Sequence, residues 1–257
     1  MRKLLLYLLT FLVLTNITFS QQASNLRANK KKTVAKSQPI LVELFTSQGC
    51  ANCPPAEKNL AYFQLEQPFD NAELITLAFH VDYWNNPNWK DEFSSSLFTQ
   101  RQKVYDRKFR TGKIYTPQMV VDGERQFVGS SFKKAKKAVS KAVKKAKAQI
   151  EISFDKETLN LNISKIPSVK ENVTVYLAVA EDNLNVRGQQ NNGKTLKHVS
   201  VVRDLNGIGL IKKDTKSIKL SSNIQLNPKW IKENLSATVF LQGNSTRKIY
   251  GVKRIKL

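Results

Sequence analysis

Pro39-Ile40-Leu41-Val42-Glu43-Leu44-Phe45-Thr46-Ser47-Gln48-Gly49-Cys50-Ala51-Asn52-Cys53-Pro54-Pro55 runs from an apolar stretch through a polar turn to two cysteines and two prolines. Pro39 to Phe45 reads as a buried strand and Thr46 to Gly49 as the turn that ends it. Pro54 and Pro55 fit the first turn of a helix, where a missing N–H removes no hydrogen bond. Ala56, Leu60, Ala61 and Phe63 give that helix an inner face as far as about Leu65. Cys50 and Cys53 are the only two cysteines in the chain. A disulfide between them closes so short a loop that it constrains the unfolded chain by only about 2 kcal/mol. The spacing therefore suits a redox or metal-handling pair better than a staple.

The N-terminus has the form of a secretory signal over residues 1–20: basic Arg2 and Lys3, an apolar run from Leu4 to Leu14, and a small-x-small site at Thr18-Phe19-Ser20. As a helix that run would reach roughly 16 Å, about half of a bilayer core, so no membrane anchor is expected after cleavage. The expected location is periplasmic or secreted, an oxidising setting for the cysteine pair. Residues 21–38 read as a disordered leader. The net charge of +22 favours anionic surfaces, but no nucleic-acid motif is present and no nucleic-acid partner is expected.

Glu73 to Val81 reads as a second strand. A polar and aromatic loop, Asp82 to Trp89, leads to a helix between Phe93 and Phe109, so residues 83–113 form a helical insert. Tyr115 to Asp122 is a strand entered through Pro117, and Asp122-Gly123 signals a hairpin into Arg125–Val128. Residues 132–148 read as an amphipathic helix with Ala135, Ala138, Val139 and Ala142 inward and lysines outward, capped by Ser130 or Ser131. This order implies an α/β unit over 39–148. Beyond 149, short alternating strands imply a separate antiparallel, sandwich-like β-domain over 149–257.

Chemistry is expected around the pair. Cys50, at the mouth of the helix, would be the attacking thiol, its pKa lowered by the helix dipole; Cys53 would resolve the mixed disulfide. Thr116-Pro117 enters a strand, a setting for a cis bond that would present backbone to an extended substrate; an ordinary trans proline is the alternative. Glu43, an acid within an apolar strand, suggests a buried proton carrier for Cys53 or an edge-exposed residue. His80 reads as a base, a core histidine, or a ligand with Cys50 and Cys53 for a soft metal ion such as copper or zinc. Gly49, Tyr83, Trp84 and Tyr115 are the candidate substrate contacts, although the aromatic residues equally suit packing of the insert. His198 and Arg203 read first as contacts between the two halves.

Together, Val42 to Cys50, Cys53-Pro54-Pro55-Ala56, Ala78 to Trp84, Trp89-Lys90-Asp91 and Tyr115 to Gly123 resemble the thioredoxin-like superfamily. More closely, they resemble a family of exported bacterial proteins known as a domain of unknown function. Gly193 to Arg203 shares that likeness. The resemblance implies an α/β thioredoxin-like fold with a helical insertion, followed by the β-domain. The cysteine pair, its place at the helix start and the signal segment point to an exported thiol–disulfide oxidoreductase without a cofactor, acting on protein thiols or disulfides. Cys50 and Cys53 would then be the attacking and resolving thiols and Pro117 the cis-proline. Gly49, standing where tryptophan often precedes the first cysteine, and Pro54-Pro55 depart from thioredoxin itself. A soft-metal-handling protein and a non-enzymatic binding module are the alternatives.

Overall fold

The computed structural model describes residues 37–187 and 195–257. The expected signal segment, nearly all of the leader, and the loop at Asn192-Gly193-Lys194 lie outside the described residues. Gln38–Leu257 form one unit. In chain order it contains β1 (Gln38–Thr46), α1 (Pro54–Glu66), β2 (Ala72–His80), α2 (Ser96–Phe109), β3 (Gln118–Val121), β4 (Arg125–Val128) and α3 (Phe132–Ala142). It continues with β5 (Gln149–Asp155), β6 (Thr158–Ser164), β7 (Val173–Glu181), β8 (Leu184–Arg187) and β9 (Thr195–His198). The last elements are β10 (Val201–Ile211), β11 (Ile218–Asn223), β12 (Leu235–Gly243) and β13 (Ile249–Lys256).

The expected fold class is overturned by the strand order. A single eight-stranded mixed sheet, β13-β12-β7-β10-β2-β1-β3-β4, runs through both halves of the chain. It is not a thioredoxin-like α/β fold with a helical insertion followed by a separate antiparallel sandwich. The link is β10, which pairs parallel to β2 at Val201–Ala78 and antiparallel to β7 along its length. An exposed β2 edge would leave a row of unpaired N–H and C=O groups; β10 covers the end of it, with the Ala78 N–H donating to Ser200 O at 2.7 Å.

Side-chain parity sorts the core. Ile40, Val42 and Leu44 of β1 face α1 and α3, meeting Ala56, Leu60, Phe63, Ala135 and Val139. Leu41 and Phe45 face the opposite way, toward Phe98 and Tyr105 of α2 and Phe240 of β12. In β7, Val173, Val175, Leu177 and Val179 meet the small sheet β11-β6-β5 through Leu159, Leu161 and Ile163. Ala178 and Ala180 turn instead to the α2 side. Central strands are thus buried on both faces.

The local signals hold where they concern turns and caps. Ser131 caps α3, accepting from the Lys134 N–H. Ser95 caps α2, accepting from the Leu97 N–H. Asp122 and Gly123 both take positive φ in the β3–β4 turn, and a Cβ on Gly123 would fall 1.8 Å from Arg247 O. The lysine helix is shorter than expected, and Lys147, just past it, is buried in an ion pair with Asp122 at 2.7 Å.

Candidate functional site

Thr46 and His80 are in register as the last pair of the parallel strands β1 and β2. The carboxyl ends of parallel strands are where α/β sheets place their ligands, because the following loops and helix N-termini converge there. Cys50 and Cys53 lie on the connection from β1 to α1 and are joined in a disulfide. Two turns hold the connection: the Cys50 N–H donates to Ser47 O, and the Cys53 N–H to Cys50 O, each at 3.1 Å. The residue at the helix start is Cys53, which is the N-cap, rather than Cys50. Pro54 and Pro55 supply no N–H, and the Ala56 and Glu57 N–H groups both donate to Cys53 O. Any thiolate here therefore draws on the helix dipole rather than on free N–H donors.

Both cysteines are buried, Cys50 at 3% and Cys53 at 0% exposure. The aromatic loop after β2 packs on Gly49, the residue before Cys50. A Cβ on Gly49 would lie 2.8 Å from the Trp89 ring and 3.2 Å from Trp84 Cβ. Trp84 reaches onward, donating from Nε1 to Thr116 Oγ1 at 2.8 Å. Thr116-Pro117 is cis. Pro117 O accepts from the Gly129 N–H at 3.0 Å, and Gly129 packs against Ala56 in the first turn of α1. Gly49, Trp84, Thr116 and Pro117 are thus brought to one end of the sheet. Tyr83 and Trp84 are exposed. Desolvation of the covered part of the Tyr83 ring raises its phenol pKa, opposed by hydrogen bonding to Thr116 and Gln102. Tyr115 sits on the same segment, hydrogen-bonded to Gln126; burial pushes its phenol up to about 12.

Glu43 is not brought to the cysteines. It shares the parity of Leu41 and Phe45 and faces α2, where Arg101 Nε donates to it at 2.7 Å and the Tyr105 hydroxyl donates to its other oxygen. The Arg101 guanidinium lies 5.2–5.5 Å from the ring centres of Phe79, Tyr105, Tyr176 and Phe240. A strand alternates faces, so the acid placed beside Cys53 in the linear reading belongs to the other layer.

The residues that do meet at this end of the sheet are Glu57, His80 and His198, and His80 stands with these rather than in a set with the cysteines. His80 and His198 are the chain's only two histidines; their rings are 5.2 Å apart, edge to face, and Phe93 packs on both. Glu57 Oε1 accepts from Thr46 Oγ1 at 2.7 Å, and Glu57 Oε2 lies 3.3 Å from His198 Nδ1. Burial alone would raise the Glu57 pKa. The His198 hydrogen bond and charge, followed by His80 and Thr46, outweigh it and hold the carboxyl below its ordinary value.

His80 Nδ1 is 2.8 Å from Asp91 Oδ2. Asp91 is fully buried and accepts backbone N–H groups from Gln48 at 2.8 Å and Phe93 at 3.0 Å. Burial pushes Asp91 up, and hydrogen bonding and charge from His80, then the two backbone donors, bring it below the ordinary carboxylate value. One ligand atom from each of Glu57, His80 and His198 lies within 4.8 Å of the others, so these three side chains can hold an ion.

Sequence reasoning missed Glu57 and Asp91. Neither carries a motif signal of its own: Glu57 stands in the first turn of α1, and Asp91 follows the aromatic loop. His198 reaches the site because Ser200, at φ 53°, turns the chain sharply between β9 and β10.

No curated protein matches the sequence. Among solved structures, the fold is similar to a protein from Agrobacterium tumefaciens, with TM-score 0.70 and 23% identity over 86% of this chain and 95% of that one. It is also similar to HBP35 of Porphyromonas gingivalis, with TM-score 0.61 and 14% identity over 86% of this chain and 76% of that one. Residues 41–242 match the family model described as protein of unknown function DUF1223. That match runs from within β1 to within β12, well over half of the chain, and the chain belongs to the DUF1223 family.

Proposed function

We propose that this is an exported thiol–disulfide exchange protein working through Cys50 and Cys53 on the thiols or disulfides of other proteins. The observation that carries the reading is the position of the chain's only two cysteines, bonded to each other where β1 gives way to α1. Exposed Tyr83 and Trp84 beside them offer an apolar landing surface for an extended substrate segment.

In the oxidising direction a substrate thiolate attacks Cys50 Sγ. The Cys50–Cys53 bond breaks and Cys53 leaves as thiolate. A second substrate thiolate then attacks the substrate sulfur of the mixed disulfide and releases Cys50. Two electrons pass from the substrate dithiol to the protein pair, and reduction of a substrate disulfide is the reverse sequence. Cys53 is the better leaving group because it is the helix N-cap, where the dipole favours negative charge. Cys50 lies in the turn next to Gly49, which packs against Trp84 and Trp89.

The test is exchange with a peptide disulfide and with a reduced peptide, using the mature chain. Cys50→Ser should abolish turnover, and Cys53→Ser should trap a mixed disulfide at Cys50. An unchanged rate in Cys50→Ser refutes the proposal. Recovery of the tag-free protein in a periplasmic or medium fraction tests export.

A further inference from the structure

Two buried imidazole nitrogens at the carboxyl end of β2 have no hydrogen-bond partner among the described residues: His80 Nε2 and His198 Nε2. Their side chains are essentially inaccessible, at 0% and 2% exposure. Leaving a buried polar atom unpaired costs about 1–3 kcal/mol, so two such atoms on rings packed edge to face call for a function. Glu57 completes the group, its Oε1 tied to Thr46 and its Oε2 turned toward His198.

We infer that Glu57, His80 and His198 form a binding site for a divalent cation of the zinc class, separate from the cysteines. Two imidazoles and one carboxylate are a zinc donor set that leaves a fourth position open. The surroundings supply what such a site needs. Asp91 takes the Nδ1 side of His80, which directs the lone pair of neutral His80 to Nε2, and Asp91 is itself locked by the backbone N–H groups of Gln48 and Phe93. A carboxylate behind a ligating histidine both orients the ring and raises its basicity. One ligand atom from each of the three side chains lies within 4.8 Å of the others, and zinc bonds of about 2.1 Å imply roughly 3.4 Å between ligands, so the three side chains draw closer together on loading. The inference stands apart from disulfide exchange, since no ligand is a thiolate and the pair remains oxidised.

The test is zinc binding by the folded, oxidised chain after chelator treatment, followed by calorimetry and by metal analysis after desalting. One zinc per chain should be retained. His80→Ala and His198→Ala should each weaken binding a hundredfold or more. Asp91→Asn should weaken it about 10–100-fold. The Cys50→Ser/Cys53→Ser double variant should bind as the parent does while losing exchange, which separates failure of one reading from failure of the other. Should the alanine variants misfold, Glu57→Gln keeps size and the Thr46 contact, and must still lower zinc affinity at least tenfold. Cobalt(II) in place of zinc should give visible d–d bands without a thiolate charge-transfer band. No stoichiometric zinc on the folded parent, zinc retained after loss of both histidines, or zinc lost with the cysteines overturns the inference.

Discussion

Replacing Glu43 with glutamine should weaken the fold and leave disulfide exchange intact. The carboxylate is fully buried and bonded to both Arg101 and Tyr105, and the Arg101 side chain is itself only 8% exposed. Removing one partner of a buried ion pair costs about 3–5 kcal/mol, because the other charge stays desolvated. Here the four rings around the guanidinium offset part of that, by up to about 2 kcal/mol, as does the Gln242 Oε1 contact at 3.1 Å. The expected loss is therefore about 2–4 kcal/mol. At about 2–4 °C per kcal/mol for a domain of this size, the thermal midpoint should fall by roughly 4–16 °C. Urea unfolding followed by tryptophan fluorescence, with the disulfide kept oxidised, measures the loss. Exchange assayed well below the lowered midpoint measures function on the same sample. A variant of unchanged stability whose exchange falls tenfold or more would refute this reasoning and make Glu43 the proton carrier of Cys53.

Gly49→Ala should cost about 1–3 kcal/mol through overpacking against Trp89 and should raise the rate at which an alkylating reagent reaches the reduced Cys50; unchanged reactivity would mean that the packing of the tryptophans on Gly49 does not shield the cysteine. Lys147→Ala should destabilise the fold by about 3–5 kcal/mol by stranding buried Asp122, and Lys147→Ala/Asp122→Asn should recover much of that in a urea series. For Glu171, burial pushes the carboxyl up, but hydrogen bonds from the Thr246 hydroxyl, the Thr246 and Ser245 N–H groups and Tyr250 hold it below its ordinary 4.5. A depressed carboxylate contributes stability that is complete above pH 4.5 and is lost as pH falls through the lowered folded value. The stability gap between parent and Glu171→Gln should therefore close on acidification below 4.5, and a gap independent of pH contradicts the assignment.

Much of the first half was legible because its signals are local. The apolar run at Ile40–Phe45, the prolines after Cys53, and Asp122-Gly123 each specify a backbone state within a few residues. What sequence could not show was pairing across distance. The short strands expected beyond residue 149 are present, yet nothing in their periodicity says that β10 joins the edge of β2 rather than closing a second sandwich. The same limit hid the site. Cys50, Cys53, Thr116 and Pro117 were readable from motif and spacing. Glu57, Asp91 and His198 gain their meaning only when a helix, a loop and a strand from the far half converge on His80. One signal was available: a chain with only two histidines, each beside a predicted strand end, invites the question of whether they meet. Glu43 shows the opposite error, where adjacency along a strand suggested a neighbour that alternation sends to the other face.

The most direct test of the central claim is the reduction potential of Cys50–Cys53, read by alkylation and mass spectrometry across a series of thiol–disulfide buffers. Exchange chemistry predicts a reversible two-electron transition in the range of about −120 to −270 mV spanned by exchange proteins, lost in Cys50→Ser. A pair that stays oxidised at potentials below about −300 mV would be a structural bridge and would contradict the account.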